Sequence, residues 1–433
     1  MVIRKFSFAT ICYSTFLFLF GTSQLLPTSS ASFLIFHGVQ FADFLFLFCF
    51  LSNFYFPHFR QFVYEFVVRY QLLFFLVILF VFWGIASLFF NSFNYGARFG
   101  SIFAIFRTIY FCLLVIFVAY LCSRYSFKYV AYCFVAGVLF STVLNYFFTV
   151  MGWNEHLGST NKFGDTGIYM VSHPNVTGNM VAMAAVILSI TTIEKPRGWV
   201  ILALAVLAFI SLNTFSKGAW LMMLMASFSA FIGFILLKNS AKHKKIILVI
   251  SSFLLIALIT IFYENLASLF EGKFKQSGYG DTTEEVSSVD VRWSHILTSV
   301  EMAVSNPILG VGYPNWEFAY YEHHVPYKGI FHPNDNPHNG FFYILSTMGF
   351  PGIVLFIAIL LYPYKALFQM AKGSGLVRGV FCFSILATFF MSGNVMLQIF
   401  TIYPLWIFVG LILGREFSAV RKVREQMLLR LPF

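Results

Sequence analysis

The chain has little charge. Asp, Glu, Lys and Arg make up 10% of its 433 residues, with only 17 acidic side chains, where a soluble globular domain carries roughly 25%. With 59% hydrophobic residues and a mean hydropathy of +0.80, a soluble fold is excluded and a polytopic membrane protein is implied. Cysteine is also sparse: Cys12, Cys49, Cys112, Cys122, Cys133 and Cys382 all fall in or beside apolar runs. Neither a disulfide framework nor a thiolate metal site follows from that placement. No His-Glu-x-x-His pattern or cysteine pair is present, so a zinc site built from His332, Asp335 and His338 has no motif behind it. No basic cluster lies beside an aromatic platform in a polar segment, so the net charge of +11 is not a nucleic-acid footprint. Internal repeats, the usual mark of many transporters, are not visible either.

Apolar runs fill the space these absences leave. Windows of about 20 apolar residues, each able to cross a bilayer as a helix, occur near 7–27, 31–52, 71–90, 100–122, 129–151, 174–193, 198–213, 218–237, 246–264, 340–363, 378–393 and 398–414. The expected fold is therefore all-α and polytopic, with about twelve transmembrane helices. The 59 phenylalanines read as lipid-facing and packing material. With both termini placed inside, the inner loops and tails hold 20 of the 28 Lys and Arg residues, as the positive-inside rule requires. Arg4 and Lys5 precede an apolar stretch like that of a signal peptide, but the spans that follow favour an uncleaved first helix.

The pattern divides the chain into spans one to nine (1–263), a long polar segment on the extracytoplasmic side (264–339), spans ten to twelve (340–414) and a basic cytoplasmic tail (415–433). The polar segment holds His295, His323, His324, His332 and His338, half of the histidines in the chain. Residues 272–289 read as a mobile, glycine-containing stretch. Asp290 is then expected to cap an amphipathic helix with Trp293, Ile296, Leu297, Val300 and Val304 on one stripe, lying on the membrane surface and ending at Asn306-Pro307. Arg292, His295 and Ser299 fall on another face. Gly310 and Gly312 allow a sharp turn or close approach of the backbone to a ligand. With Asn336 as N-cap and Pro337 as first helical residue, His338 would occupy the first turn of span ten. The positive end of the helix dipole would keep its imidazole neutral and able to accept a proton. His295, His323, His324 and His332 read as ordinary loop residues.

Three shorter features face the same side. Lys217 sits in Asn213-Thr-Phe-Ser-Lys-Gly-Ala-Trp220 between spans seven and eight. Lys162 to Asp165 and His173-Pro-Asn175-Val-Thr-Gly-Asn179 form a polar approach to span six. Arg98 and Arg107 flank the start of span four, and a cation as deep as Arg107 normally faces the bundle interior or a polar ligand.

Thr-Phe-Ser-Lys217-Gly-Ala-Trp, Arg292-Trp, Asn306-Pro-Ile-Leu-Gly-Val-Gly312, Pro-His338-Asn-Gly-Phe-Phe and Gly349-Phe-Pro-Gly352, in this order and spacing, resemble the bacterial O-antigen ligase and O-antigen polymerase superfamily. The resemblance covers roughly residues 160–365. It implies a GT-C-like membrane glycosyltransferase of the inner membrane that needs neither metal nor cofactor. Such an enzyme moves a glycan from undecaprenyl diphosphate to an acceptor sugar, either lipid A-core oligosaccharide or a growing glycan, at the periplasmic face. By the same resemblance His338 is the general base and Arg292 and Lys217 bind the donor diphosphate. Arg98 and Arg107 are further candidates for the diphosphate, with Asn339, His332, Asn175, His295, Gly310 and Gly312 in support. Lysine at 217 departs from the commoner arginine and lacks its bidentate fork.

Two other classes compete. A transporter or flippase would put its polar residues at mid-membrane, in broken, repeat-related helices. A metal-dependent oligosaccharyltransferase would show acidic pairs in its first outer loop, and Thr22–Ser32 has no acid. Within the superfamily, the ligase reading is preferred slightly over a capsule, exopolysaccharide or O-antigen polymerase.

Overall fold

A computed structural model describes residues 11–15, 17–18, 41–95, 99–150, 174–192, 198–213, 288–313, 315–331, 337, 339–371 and 403–428. These residues are almost entirely helical: α1 (Phe41–Phe54), α2 (Pro57–Arg69), α3 (Gln71–Tyr95), α4 (Phe99–Arg124), α5 (Phe127–Val150), α6 (Pro174–Thr192), α7 (Gly198–Asn213), α8 (Ser288–Ser305), α9 (Trp316–His323), α10 (Gly340–Ala371) and α11 (Tyr403–Leu428). Among the described residues, three stretches are both long and apolar enough to cross a membrane, Gln71–Asn91, Phe127–Leu144 and Gly340–Pro363; Asp43–Phe54 and Thr108–Arg124 are shorter apolar helices. The spans expected at 218–237, 246–264 and 378–393 lie outside the described residues.

Residues 53–70, expected as an inner loop, contain α2. Its Pro57 occupies the first turn, where the missing N–H is not needed. Phe59, Phe62 and Phe66 recur at spacings of three and four and are buried, while Arg60, Tyr64 and Glu65 face outward or are half-buried. This is the one-sided apolar stripe of a helix lying against a bundle. Its end is tied to α11: Glu416 accepts hydrogen bonds from Arg69 and from the Tyr70 hydroxyl, both at 2.5 Å.

Glycines allow α11 to pack closely along α4. A Cβ on Gly410 would lie 2.8 Å from the Val118 Cβ, and one on Gly414 would lie 2.7 Å from the Ala119 Cα. Small residues four apart bring two helix backbones together, as in membrane helix pairs. Phenylalanine serves both surfaces: Phe46, Phe59, Phe66, Phe111, Phe117, Phe134 and Phe356 are fully buried, whereas Phe48, Phe75, Phe82, Phe89 and Phe90 are exposed along the helices.

α10 is kinked. Gly349 has φ 69° and ψ −170° inside an otherwise continuous helix, a conformation essentially reserved for glycine. The kink frees backbone groups of α10 for another part of the chain.

Candidate functional site

The partner of the kink is the turn that follows α8. Val311 N donates to Ser346 O at 2.9 Å, Gly312 N to Thr347 O at 3.0 Å and Phe350 N to Pro307 O at 2.9 Å. Gly310 has φ +63°, and a Cβ there would lie 2.4 Å from the Thr347 carbonyl carbon; a Cβ on Gly349 would lie 2.4 Å from Ile308 O. Gly312 (φ +95°) abuts Asn315 and Asn91. Gly310 and Gly312 thus make the sharp turn expected of them, and the close approach they permit is to the α10 backbone.

Helix α3 completes this interlock. Ser87 Oγ lies within hydrogen-bonding distance of Leu309 O (2.6 Å) and Thr347 O (2.8 Å). Asn91 Nδ2 donates to Gly310 O at 3.2 Å, and Trp83 Nε1 to Met348 O at 2.9 Å. Ser87, Asn91, Ser346 and Thr347 are all buried. None of the four was singled out from the sequence. The available signal was a polar residue inside an apolar helix, which membrane helices tolerate mainly where it meets a partner.

The start of α10 differs from expectation. Asn339 is the cap: its Oδ1 accepts from Phe341 N at 3.0 Å and Phe342 N at 3.3 Å, taking two of the free amides of the first turn. The helix begins at Gly340, so Pro337 is not its first helical residue; Asn336, the expected cap, lies outside the described residues. His338 directly precedes the cap in sequence and is itself outside the described residues, as are His332, Lys217 and Arg98. Arg107 lies within α4 and Asn175 in the first turn of α6.

Helix α8 also starts earlier than expected, at Ser288. Asp290 is not its cap: it sits in the first turn, where its carboxylate pairs with Lys328 Nζ at 2.8 Å. This exposed bond raises the pKa of Lys328. Nor do Arg292, His295 and Ser299 share an environment, since Arg292 is exposed while His295 and Ser299 are fully buried. The apolar stripe is the exposed side, with Trp293 50% and Val304 64% exposed. Polar atoms on α9 and the segment after it account for the burial of the opposite, polar face. Trp316 Nε1 donates to Ser299 Oγ at 3.0 Å, the Ser299 hydroxyl donates to His295 O at 2.8 Å, and Val325 N donates to Thr298 Oγ1 at 3.2 Å. The His295 ring meets Trp316 and Tyr320 edge-on, at 5.3 and 5.7 Å. His324 packs on Tyr320 and Phe331, and burial lowers its pKa. His295 and His324 are therefore packing residues of an aromatic cluster.

Together, α8, the glycine turn, α9 and the first half of α10 form one hydrogen-bonded unit on α3. It displays the exposed Arg292 and leads through the capped start of α10 to the position of His338. Residues 201–357 match a family model described as O-antigen ligase. The match begins in α7, ends in α10, and contains the interlocked unit together with Lys217, Arg292 and His338. No curated protein is matched by the chain.

Proposed function

We propose, for a chain that belongs through residues 201–357 to the O-antigen ligase and polymerase superfamily, that it is a membrane glycosyltransferase acting on an undecaprenyl-diphosphate-linked glycan. The glycan is moved to an acceptor sugar at the periplasmic face, with lipid A-core oligosaccharide as the preferred acceptor. The observation carrying this reading is the interlock of the glycine turn with the kinked α10. It ties the helix bearing Arg292 to the helix start next to His338, so that a cation and a base can be held on one support.

The chemistry divides between them. Departure of a diphosphate builds negative charge, which Arg292, Lys217, Arg98 and Arg107 would stabilise. The acceptor hydroxyl gives its proton to His338 as it attacks the anomeric carbon. The new glycosidic bond forms as the bond to the diphosphate oxygen breaks, and the anomeric centre inverts. A position just before an Asn cap lies at the positive end of the helix dipole, which favours a neutral, proton-accepting imidazole. No step requires a metal or cofactor.

His338→Ala is the test. Membrane insertion and donor binding should be retained and glycan transfer abolished; near-normal transfer would remove the base assignment. A repeat-unit polymerase uses the same donor chemistry with a growing glycan as acceptor. A deletion strain separates the two, because loss of a ligase leaves long polymer on the undecaprenyl carrier and loss of a polymerase leaves single repeats.

A further inference from the structure

The α9 side of the interlocked unit carries a pair of exposed aromatic rings. Tyr321 is 61% and Phe331 50% exposed, and their centroids lie 5.7 Å apart. Both rest on the fully buried Tyr320, and Phe331 also meets His324 edge-on at 5.0 Å. A tight turn brings Phe331 back to α9. Ile330 N donates to Tyr327 O at 3.0 Å, and Lys328 and Gly329 between them have φ 51° and 70°, the positive values that both central residues of a type I′ turn require. Lys328 is bound to Asp290 of α8, so the turn is fastened to the helix that displays Arg292.

A contiguous exposed aromatic pair marks an interaction site where a lone exposed ring does not. The bilayer is a poor cover for this one. The face of α8 that packs on α9 is its polar face, opposite the exposed stripe of Trp293 and Val304, so α9 lies on the side of α8 away from that stripe. Glu317 is exposed four residues before Tyr321 on the same helix, a spacing that puts both on one face. A carboxylate beside the rings repels anionic headgroups and a diphosphate alike, but it accepts hydrogen bonds from sugar hydroxyls. The rings add the other half of sugar recognition, because the negative face of an aromatic ring attracts the polarised C–H groups on the apolar face of a pyranose. Phe331 precedes His338 by seven residues, at most about 25 Å of extended chain, a span that an oligosaccharide can bridge.

We propose that Tyr321 and Phe331 form an acceptor subsite, on which a sugar of the acceptor oligosaccharide stacks while Glu317 takes hydrogen bonds from its hydroxyls. This rests on the reading of the chain as a glycosyltransferase with His338 as base.

The experiment uses the full-length protein in nanodiscs, with lipid-free core oligosaccharide as acceptor probe and undecaprenyl diphosphate as donor probe. Tyr321→Ala and Phe331→Ala should each weaken binding of the core oligosaccharide about five-fold and leave undecaprenyl diphosphate binding unchanged, while Tyr321→Trp should bind both as the wild type does. Tyr321→Leu keeps an apolar side chain without a ring face and should bind as weakly as Tyr321→Ala; wild-type binding by either would overturn the proposal. Phe331 also packs on Tyr320, so the exposed Tyr321 variants decide if Phe331→Ala fails to fold. In nanodiscs containing a brominated phospholipid, the added fluorescence of Tyr321→Trp should stay unquenched; quenching would assign the rings to the bilayer surface and overturn the subsite. A wild type that binds undecaprenyl diphosphate but no core oligosaccharide removes the preferred acceptor, and this inference with it. A wild type that glycosylates the core oligosaccharide no better than the Tyr321→Ala variant does would remove this inference alone.

Discussion

Replacing Gly349 by alanine would test the interlock that joins the glycine turn to α10. The residue sits at φ 69°, ψ −170°, and the added Cβ would lie 2.4 Å from Ile308 O and 2.6 Å from Pro307 O, both backbone atoms. The strained backbone costs about 1–3 kcal/mol. Relief of the clash must push the turn away and break the hydrogen bonds from Val311, Gly312 and Phe350, each contributing roughly 0.5–1.5 kcal/mol. Local opening should become easier by about 3–7 kcal/mol in total. Gly329→Ala is the control: its φ is also positive, at +70°, but nothing lies within 4 Å of the added Cβ, so about 1–2 kcal/mol of backbone strain is all it should show. Hydrogen–deuterium exchange at the amides of Val311, Gly312 and Phe350 reads the difference. Gly349→Ala should speed their exchange at least about five-fold beyond Gly329→Ala, the equivalent of roughly 1 kcal/mol, and glycan transfer should fall with it. Equal exchange in the two variants would refute the interlock as the support of the site.

Other outcomes follow from single groups. Asn339→Ala should lose about 1 kcal/mol of helix-start stability, seen as faster exchange at Phe341 and Phe342, whereas Asn339→Asp should retain it; unchanged exchange in the alanine variant would deny the cap. Arg292→Ala, at an exposed position, should leave folding intact and raise the donor KM by the equivalent of ~1.5–3 kcal/mol; an unchanged KM and rate would assign Arg292 to lipid anchoring. Burial lowers the pKa of His324, so in acid the unfolded chain binds more protons than the folded one. Its contribution is fully present above the unfolded value of about 6.5 and is lost as pH falls through that value toward the folded pKa. His324→Phe should flatten the acid side of a stability–pH profile, and an unaltered profile would place the sensitivity elsewhere.

Hydropathy located helices well because a helix crossing hydrocarbon must be apolar over its whole length, whatever it packs against. The windows at 71–90, 100–122, 129–151, 174–193 and 198–213 each correspond to a helix with ends within a few residues. Helix α2 escaped because its apolar residues form a stripe, not a run. The cap of α10 was misplaced by three residues because Asn336-Pro337 and Asn339-Gly340 are both plausible helix starts locally. The side-chain bonds to Phe341 and Phe342 decide between them.

The sequence by itself determined the class of protein, the position of most described helices and the order of motifs that carries the family resemblance, because each depends on composition or local spacing. Tertiary structure decided how those motifs are used. Only packing could show that Gly310 and Gly312 close on the backbone of α10, that Ser87 and Asn91 of a distant helix hold that turn, and that α8 turns its polar face inward. The direction of an amphipathic face depends on what neighbouring elements offer it. Here Trp316 and Val325 offer hydrogen-bond donors, and no spacing rule within α8 contains that information.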